Sequence, residues 1–273
     1  MSKQVGILGC GWLGTPLATS LLEAGYDIRG TTTDVEKLVP LEELGVVPFR
    51  ILLTEKGVEG PLPLFLEGLD TLVVNIPPGL RKQPEADFLS KIRILDRALT
   101  EAGTARLLFV SSTAVFSDAQ GAVVEQTPPE PGTRSGRQQL QAENLLLQNP
   151  SRKTMVLRLG GLMGPDRHPV THLSGREIPS GGNQRVNLIR MGDALGALRH
   201  LIANPRSSGI YHGVYPAHPT RRDFYTSEAR LMRLDPPRFM DPAGPATGKT
   251  VRSTRLQREG FHFSHSIYSS EKR

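Results

Sequence analysis

The chain has 273 residues, of which 38% are hydrophobic and 22% are charged, and its formal net charge at pH 7 is +6. This length suits one α/β domain with a subsidiary lobe, or two small domains. The composition is that of a globular protein and excludes a fibrous or low-complexity chain.

The compartment is predicted from three absences. No apolar run reaches the roughly 18 residues of a membrane span, so we expect no transmembrane helix and no membrane partner. The N-terminal apolar run is short and lacks a small-residue cleavage site, so we expect no signal peptide. Cys10 is the only cysteine, which excludes an intrachain disulfide and a cysteine zinc cluster. These features together predict a cytoplasmic protein.

Charge is unevenly distributed along the chain. Residues 1–133 carry 11 Lys or Arg against 17 Asp or Glu, whereas residues 134–273 carry 22 against 10. A basic half predicts an anionic partner. Because its arginines are scattered and not interleaved with aromatic residues, we expect no nucleic acid. A small anionic substrate or a cofactor phosphate fits better, and an ordinary solvated basic surface is the alternative.

The first half of the sequence alternates short apolar runs with segments of helical periodicity. Strands are predicted over residues 5–8, 26–32, 70–77 and 105–112, and helices over 15–25, 34–45 (broken at Pro40) and 86–103. The second half continues with a helix from Ser135, a strand over 154–160, and helices over 192–205 and around 224–234. This alternation predicts an α/β fold, a Rossmann-type doubly wound parallel sheet with a small C-terminal substrate-side lobe.

A glycine motif lies between the first predicted strand and the first predicted helix. Gly9, Gly11 and Gly14 form G-x-G-x-x-G, which in this context indicates a dinucleotide-binding turn. Gly9 allows the tight turn, Gly11 lets the backbone approach a pyrophosphate, and Gly14 lets the helix pack on the strand. The helix N-terminus would attract the phosphates, and a glycine turn without a ligand is the alternative. We predict cofactor contacts for the whole turn, including Cys10, Trp12 and Leu13, and the alternative for Trp12 is that its ring wedges the loop against the sheet.

The second predicted strand ends in threonines where an NAD-preferring site usually has a carboxylate. The stretch contains Thr31, Thr32 and Thr33, which we expect near the adenosine ribose. Nothing there repels a 2′-phosphate, and threonine hydroxyls can donate to it. We therefore prefer NADP as the cofactor, with NAD as the alternative. Asp34 is the counter-argument to this preference, because its carboxylate follows the threonines directly, but we expect it to cap the next helix.

Four further stretches follow one another in the order of a known family. Residues 107–116 ("LLFVSSTAVF") resemble S-S-x-x-V-Y-G, and residues 123–131 resemble E-x-x-x-x-x-P. Residues 156–165 resemble L-R-x-x-x-x-Y-G-P, and residues 186–198 resemble a strand, aspartate and helix element. Together these motifs resemble the extended short-chain dehydrogenase/reductase family of sugar-nucleotide epimerases and dehydratases. Shorter stretches such as "GWLG" and "GPDRHP" are similar to its bacterial YeeZ-type group.

The resemblance implies a division of labour along the chain. Residues 1–163 with 186–214 would form the NAD(P)-binding Rossmann domain, and residues 164–185 with 215–273 the substrate-side lobe of one integrated unit. Ser112 takes the family's catalytic Ser/Thr position. The remaining residues expected at the cofactor are Asn75, Ile76, Pro77, Ser111, Gln139 and Gly161.

The sequence departs from the family at its two chemical positions. Residues 135–143 ("SGRQQLQAE") align with Y-G-R-x-K-L-x-x-E, so Ser135 replaces the proton-transferring tyrosine and Gln139 replaces the lysine. A serine hydroxyl does not ionise near neutral pH, and an amide cannot lower a neighbour's pKa. The usual acid–base relay, worth about 10²–10⁴-fold in rate, is therefore absent.

Three interpretations stay open. Another group supplies the proton, with His168 as the catalytic candidate and His172 and Tyr225 as further ones. Alternatively, Ser112 and Ser135 hold a water that supplies it. In the third interpretation the protein binds NAD(P)(H) as a non-catalytic sensor, because a fold does not guarantee activity. The leading hypothesis is an oxidoreductase or epimerase/dehydratase-like protein.

The expected substrate is a small molecule, anionic or sugar-derived. The arginines that would clamp an anion are Arg167, Arg176, Arg221 and Arg222, and surface charge is the alternative. No metal is expected, because Pro169 interrupts the spacing of His168 and His172 and no third ligand is evident. The chain is expected to be a monomer or a homodimer.

Overall fold

The structure, a computed structural model, describes residues 3–80, 84–164 and 166–269. Over these ranges the chain forms two compact units. The first holds the described residues of Met1–Ser112 with Thr133–Leu157 and Leu198–Ile210. The second holds Thr113–Gly132 and Arg158–Ala197 with the described residues of Tyr211–Arg273. Of the helices in these ranges, none combines the length and the apolar character that crossing a membrane requires.

The helices differ in length from about one turn to four turns. They are α1 (Gly14–Glu23), α2 (Leu38–Glu43), α3 (Leu62–Leu66), α4 (Phe88–Glu101), α5 (Arg134–Gln148), α6 (Met191–Ala203), α7 (Arg221–Leu231) and α8 (Thr254–Arg258). Short 3₁₀ segments lie at Val35–Lys37, Thr113–Val115, Asp118–Gln120 and Pro169–His172.

The strands are mostly short outside the central sheet. They are β1 (Gln4–Leu8), β2 (Asp27–Thr32), β3 (Val47–Arg50), β4 (Leu52–Leu53), β5 (Val58–Glu59), β6 (Thr71–Val74), β7 (Arg106–Ser112), β8 (Ala122–Val123), β9 (Lys153–Leu159), β10 (Gly161–Met163), β11 (Glu177–Ile178), β12 (Leu188–Arg190), β13 (Gly209–Gly213), β14 (Arg238–Phe239) and β15 (Thr250–Val251).

Seven strands form the central sheet in the order β13–β9–β7–β6–β1–β2–β3. β1 is parallel to both neighbours, with Val5 opposite Ile28 of β2 and Thr71 of β6. The chain builds outward from β1 to β3 and then returns to the other side of β1 at β6. Ligands of such sheets bind beyond the carboxyl ends of the strands, where the order reverses. The predicted Rossmann-type doubly wound fold is confirmed.

Burial on both faces explains why apolar runs predicted the strands. All four residues of β6 are buried, as are the last four of β1. α4 covers the sheet with Phe88, Ile92, Leu95 and Leu99, which recur at helical spacing and are all 0% exposed. These side chains belong to the core of the first unit.

Two local details differ from the sequence-based expectation. Pro40 does not break the helical segment but lies in the first turn of α2, where its missing N–H breaks no helical hydrogen bond. β3 was not predicted, because Pro48 interrupts its apolar run. That proline is tolerated because β3 is the edge strand of the sheet.

The second unit has its own core around Phe224. This ring is 0% exposed and meets Tyr225 and Tyr268 edge-on, with ring centroids 5.3 and 5.5 Å away. Three parallel two-stranded pairs, β10–β12, β11–β14 and β15–β8, complete the unit. The domain bounds predicted from the sequence run differently from these units, and the assignment of cofactor and substrate roles to them stays a prediction.

Candidate functional site

Gly9 begins the turn that follows β1, and hydrogen bonds hold its backbone in place. Its φ is +109°, in a region that residues with a side chain rarely adopt. Its N–H donates to Oγ1 of Thr31 at 2.9 Å, and its carbonyl accepts from Nδ2 of Asn75 at 3.1 Å. A Cβ on Gly9 would lie 2.6 Å from the carbonyl oxygen of Asn75 and 3.2 Å from Cγ2 of Ile76. A residue of β2 and the residue directly after β6 therefore hold both polar groups of Gly9.

The other two glycines of the motif have opposite surroundings. A Cβ on Gly14 would lie 2.1 Å from the carbonyl oxygen of Gly9, so α1 can approach the turn this closely only without a side chain there. A Cβ on Gly11 would meet no heavy atom of the described residues within 4 Å. Packing within the protein therefore requires a glycine at position 14 and does not require one at position 11.

The N-terminus of α1 has neither a side-chain cap nor an acidic residue in its first turn, and the residue before the helix is Leu13. The partial positive charge of the helix N-terminus is thus not neutralised by a carboxylate of that turn. This arrangement suits a phosphate group.

Cys10 supports the turn from beneath. The residue is 4% exposed, its N–H donates to the carbonyl of Thr31 at 2.8 Å, and burial raises the pKa of its thiol to about 12. A Cβ on Gly30 would lie 2.6 Å from its Sγ, so the thiol packs against β2. Trp12 is half-buried in the same turn.

The three threonines at the end of β2 have different tasks. Thr31 is 2% exposed and uses its hydroxyl to hold Gly9. Thr32 is 8% exposed, and its Oγ1 accepts from the N–H of Asp34 at 3.1 Å. Thr33 is exposed. Of the three, Thr33 is the residue with an accessible side chain.

The charged residues near these threonines are committed elsewhere. Asp34 caps the following 3₁₀ segment by accepting from the N–H of Glu36 at 3.1 Å, as predicted. Arg29 donates to the carbonyls of Leu64 in α3 and of Glu67 directly after it, at 2.9 and 2.6 Å. The end of β2 therefore presents neither a carboxylate nor a free guanidinium.

Gln139, at the family's lysine position, faces the interior. Its Nε2 donates to Oγ of Ser111 at 3.2 Å, and Ser111 donates in turn to Oε1 of Glu143. Gln139, Ser111 and Glu143 are 4%, 5% and 0% exposed. This buried network ties α5 to β7 and uses side chains that the sequence assigned to the cofactor.

Ser112 and Ser135 both belong to the first unit. Ser112 ends β7, and Ser135 is in the first turn of α5, which Thr133 caps by accepting from the N–H of Gly136 at 3.0 Å. Both serines are half-buried. Their joint hold on a water stays a prediction.

His168 belongs to the second unit and makes packing contacts. Its Nδ1 accepts from the N–H of Val170 at 3.3 Å, its Nε2 lies 3.1 Å from Oε2 of Glu228, and its ring stacks on Phe224 at 6.1 Å. The residue is 4% exposed. These contacts explain why a histidine is buried there. The catalytic role of His168 stays a prediction.

The remaining candidates of the second unit are spread over its surface and core. His172, Gly161, Arg167 and Arg176 are exposed, while Tyr225 is 8% exposed and burial raises the pKa of its phenol. Pro165, at the end of one family motif, lies outside the described residues.

Of the two neighbouring arginines of α7, Arg222 already has a carboxylate partner. Its Nη2 lies 3.3 Å from Oδ1 of Asp241. Arg221 instead contacts Oε1 of Gln184 at 3.4 Å, and both guanidinium groups lie over the ring of Phe239. An anion would have to compete with these contacts.

Comparison with known proteins agrees with this architecture. The chain is 34% identical to Protein YeeZ of Escherichia coli strain K12 over 267 residues, covering 96% of each protein. The chain belongs to the YeeZ family. No family model matches it.

Solved structures show the same fold at low sequence identity. MoeE5 in complex with UDP-glucuronic acid and NAD is 21% identical, with a TM-score of 0.77 over 97% of this chain and 95% of that one. UDP-glucose 4-epimerase of Thermotoga maritima with UDP-glucose is 14% identical, with a TM-score of 0.78 over 97% and 94%. The expected fold of the extended short-chain dehydrogenase/reductase family is therefore confirmed.

Sequence reasoning missed a buried polar cluster in the second unit. Arg158 is 1% exposed, and its guanidinium lies 5.1 Å from the ring centroid of Phe116. His212 packs edge-on against the same ring, and Glu125 accepts from the N–H of His212 at 3.4 Å. Burial, with the charge of Arg158, lowers the pKa of His212 to about 3. The signal was an arginine inside an apolar strand, which requires a partner when it is buried.

Lys249 was also missed. Its Nζ donates to the carbonyl of Phe116 and lies 3.9 Å from Oδ1 of Asp118. Burial lowers the pKa of this ammonium group, although Asp118 opposes the shift. Nothing in its Pro- and Gly-rich surroundings marked this lysine as partly buried.

Proposed function

We propose that this chain binds NAD(P)(H) at the glycine turn of the first unit and acts as an oxidoreductase or an epimerase/dehydratase-like protein. The main support is the difference in the space available for a side chain at Gly14 and at Gly11. Protein packing accounts for the glycines at positions 9 and 14, whereas Gly11 borders open space. Close approach of a pyrophosphate accounts for it, beside an uncapped helix N-terminus.

NADP is the preferred cofactor of this proposal, and NAD is the alternative. The end of β2 offers no carboxylate to bind the ribose 2′-hydroxyl of NAD, and the exposed Thr33 can donate to a 2′-phosphate. MoeE5 binds NAD, which supports a nicotinamide dinucleotide as the ligand without deciding between NAD and NADP.

The proposed substrate is a small molecule, anionic or sugar-derived, used in the cytoplasm by a monomer or a homodimer. Support comes from MoeE5 and the Thermotoga maritima epimerase, which hold UDP-glucuronic acid and UDP-glucose. A bound cofactor would supply hydride transfer. Ser112 would orient the substrate oxygen by a hydrogen bond, and Ser135 would hold the water that exchanges the proton.

Cofactor binding is the decisive test. NADPH and NADH are titrated into the full chain by calorimetry, with the fluorescence of Trp12 as a second signal. We expect both to bind, NADPH more tightly. If neither NADPH nor NADH gives heat of binding, the proposal is refuted. Tighter binding of NADH than of NADPH would overturn the NADP preference.

A non-catalytic NAD(P) sensor is the second candidate, and the buried Gln139 favours it. No ionisable group occupies the lysine position, and the amide is committed to Ser111. With NADPH and a panel of carbonyl compounds, an oxidoreductase consumes the reduced nicotinamide, and Ser112→Ala abolishes that turnover. A sensor binds the nucleotide and shows no turnover on the panel. Turnover that survives in Ser112→Ala would refute the role of this serine.

A further inference from the structure

The second unit contains a cavity of about 840 Å³ that none of the predicted cofactor or catalytic residues lines. Its polar wall comes from the segments before β12 and after β13, from β15 and from α8. The polar residues that matter here are Arg185, His218, Thr250, Arg252, Thr254 and Arg258. Among the described lining residues there is no aspartate or glutamate.

The three arginines of this cavity have no carboxylate partner among the described residues. Within residues 3–80, 84–164 and 166–269, none of Arg185, Arg252 and Arg258 forms an ion pair. Two other arginines of the second unit do have carboxylate partners, Arg222 with Asp241 at 3.3 Å and Arg255 with Glu259 at 3.0 Å. Like charges around one concavity repel each other, and an anion between them relieves that repulsion.

The backbone that carries two of these arginines is fixed. The N–H of Arg252 donates to the carbonyl of Val123 at 2.9 Å, which extends the β15–β8 pair. The N–H of Arg185 donates to the carbonyl of Thr247 at 2.9 Å, and its Nη1 donates to the carbonyl of His218 at 2.8 Å. Binding here needs no reordering of the main chain, which lowers its entropic cost.

His218 lies at the wall of the cavity, where the charges of two arginines affect its imidazole. Its Nδ1 lies 3.2 Å from the carbonyl of Val186, so this nitrogen carries the proton of a neutral ring. Burial is the main cause that lowers the pKa of His218, and the charges of Arg185 and Arg252 lower it further. Both arginines thus act on one imidazole at the wall of the cavity.

We propose that this cavity binds a phosphate-bearing small molecule through Arg185, Arg252 and Arg258. Guanidinium groups match phosphate oxygens bidentately, and the hydroxyls of Thr250 and Thr254 add donors. The volume lies within the roughly 300–1,000 Å³ of small-molecule sites. No aromatic side chain stands among its described lining residues to stack a base, which argues against a nucleic acid strand. The inference does not rest on cofactor binding.

The probe is inorganic pyrophosphate, titrated by calorimetry into the full chain at constant salt. We expect the wild type to bind pyrophosphate in this cavity, and we expect that binding to weaken about tenfold or more in Arg252→Gln and in Arg258→Gln, because each removes charge-assisted hydrogen bonds. The matched control is Arg206→Gln, an exposed arginine outside the cavity, which should bind as the wild type does.

Two results would overturn the proposal: no heat with the wild type at roughly millimolar pyrophosphate, or equal affinity in all variants. Arg258 is exposed on α8, so its variant remains informative if Arg252→Gln folds poorly by circular dichroism. NADPH is titrated in parallel. Its binding should be unchanged in both cavity variants, so failure of the cofactor proposal and failure of this one are told apart.

Discussion

At the scale of single residues, substitution distinguishes the glycines of the turn. In Gly11→Ala the added methyl group meets open space, so the free energy of unfolding should change by less than about 1 kcal/mol. The same methyl occupies the space through which a pyrophosphate would approach, so affinity for NADPH should fall at least about tenfold. Calorimetry measures the affinity and urea unfolding measures the stability.

The control for Gly11→Ala is Gly57→Ala, because a Cβ at Gly57 also meets no heavy atom within 4 Å in the part of the chain that the structure describes. This variant should keep both stability and NADPH affinity. Undiminished NADPH binding by Gly11→Ala would contradict the placement of the pyrophosphate at this turn.

Thr31 allows a second residue-scale prediction. Thr31→Val keeps the shape of the side chain but removes the acceptor of the Gly9 N–H, which should cost about 1–3 kcal/mol of unfolding free energy. Thr31→Ser keeps the hydroxyl and should lose less. Equal loss in the two variants, measured by urea unfolding, would show that the hydrogen bond is not what holds the turn.

The sequence predicted residue roles well where backbone conformation decides them and poorly where side-chain direction does. The roles of Gly9 and Gly14 follow from chain geometry, which the spacing encodes. Ser111 and Gln139 were assigned to the cofactor because of their positions in the family pattern. Their exposure of 5% and 4% depends on Glu143, a partner whose distance in space no spacing reveals.

At the scale of elements, the long helices were predictable because their apolar residues recur at helical spacing. The cap of α4 offers a test. Asp87 accepts from the N–H of Ser90 at 3.0 Å and from its hydroxyl at 2.6 Å, and these hydrogen bonds lower the pKa of Asp87. Asp87→Ala should cost about 1 kcal/mol of unfolding free energy, whereas Asp87→Asn should cost less because asparagine also caps. Urea unfolding of both variants above neutral pH measures the difference.

The two-residue strands of the second unit could not be predicted in the same way. β8 and β15 are too short to show a period, and their pairing joins residues more than a hundred positions apart. The positive cavity is built on this pairing. Its chemistry was therefore visible in the sequence only as a diffuse excess of arginine.

At the scale of the whole molecule, the buried His212 predicts acid sensitivity. Its pKa is about 3 in the folded chain against an ordinary value of 6.5, so between these values the unfolded chain binds a proton that the folded chain does not. Stability from this residue is fully present above about pH 6.5 and falls as the pH drops toward the folded value. The loss between about pH 7 and about pH 5 should be about 2 kcal/mol.

The measurement is urea unfolding across this pH range for the wild type and for His212→Gln, which cannot take up the proton. The variant is expected to lose less stability on acidification than the wild type. Parallel pH profiles would contradict the assignment of the acid sensitivity to His212.

The hydroxyl of Thr31 constrains any attempt to re-engineer nucleotide preference. An aspartate at position 31, the usual design for favouring NAD, would replace the support of Gly9 with a carboxylate in a site that is 2% exposed. Specificity and folding would then change together, and a poor NAD enzyme could simply be a poorly folded one. Thr33 is exposed, and it is Thr31 that accepts the hydrogen bond from Gly9. A library of substitutions at position 33 can therefore vary the nucleotide preference while the turn stays intact.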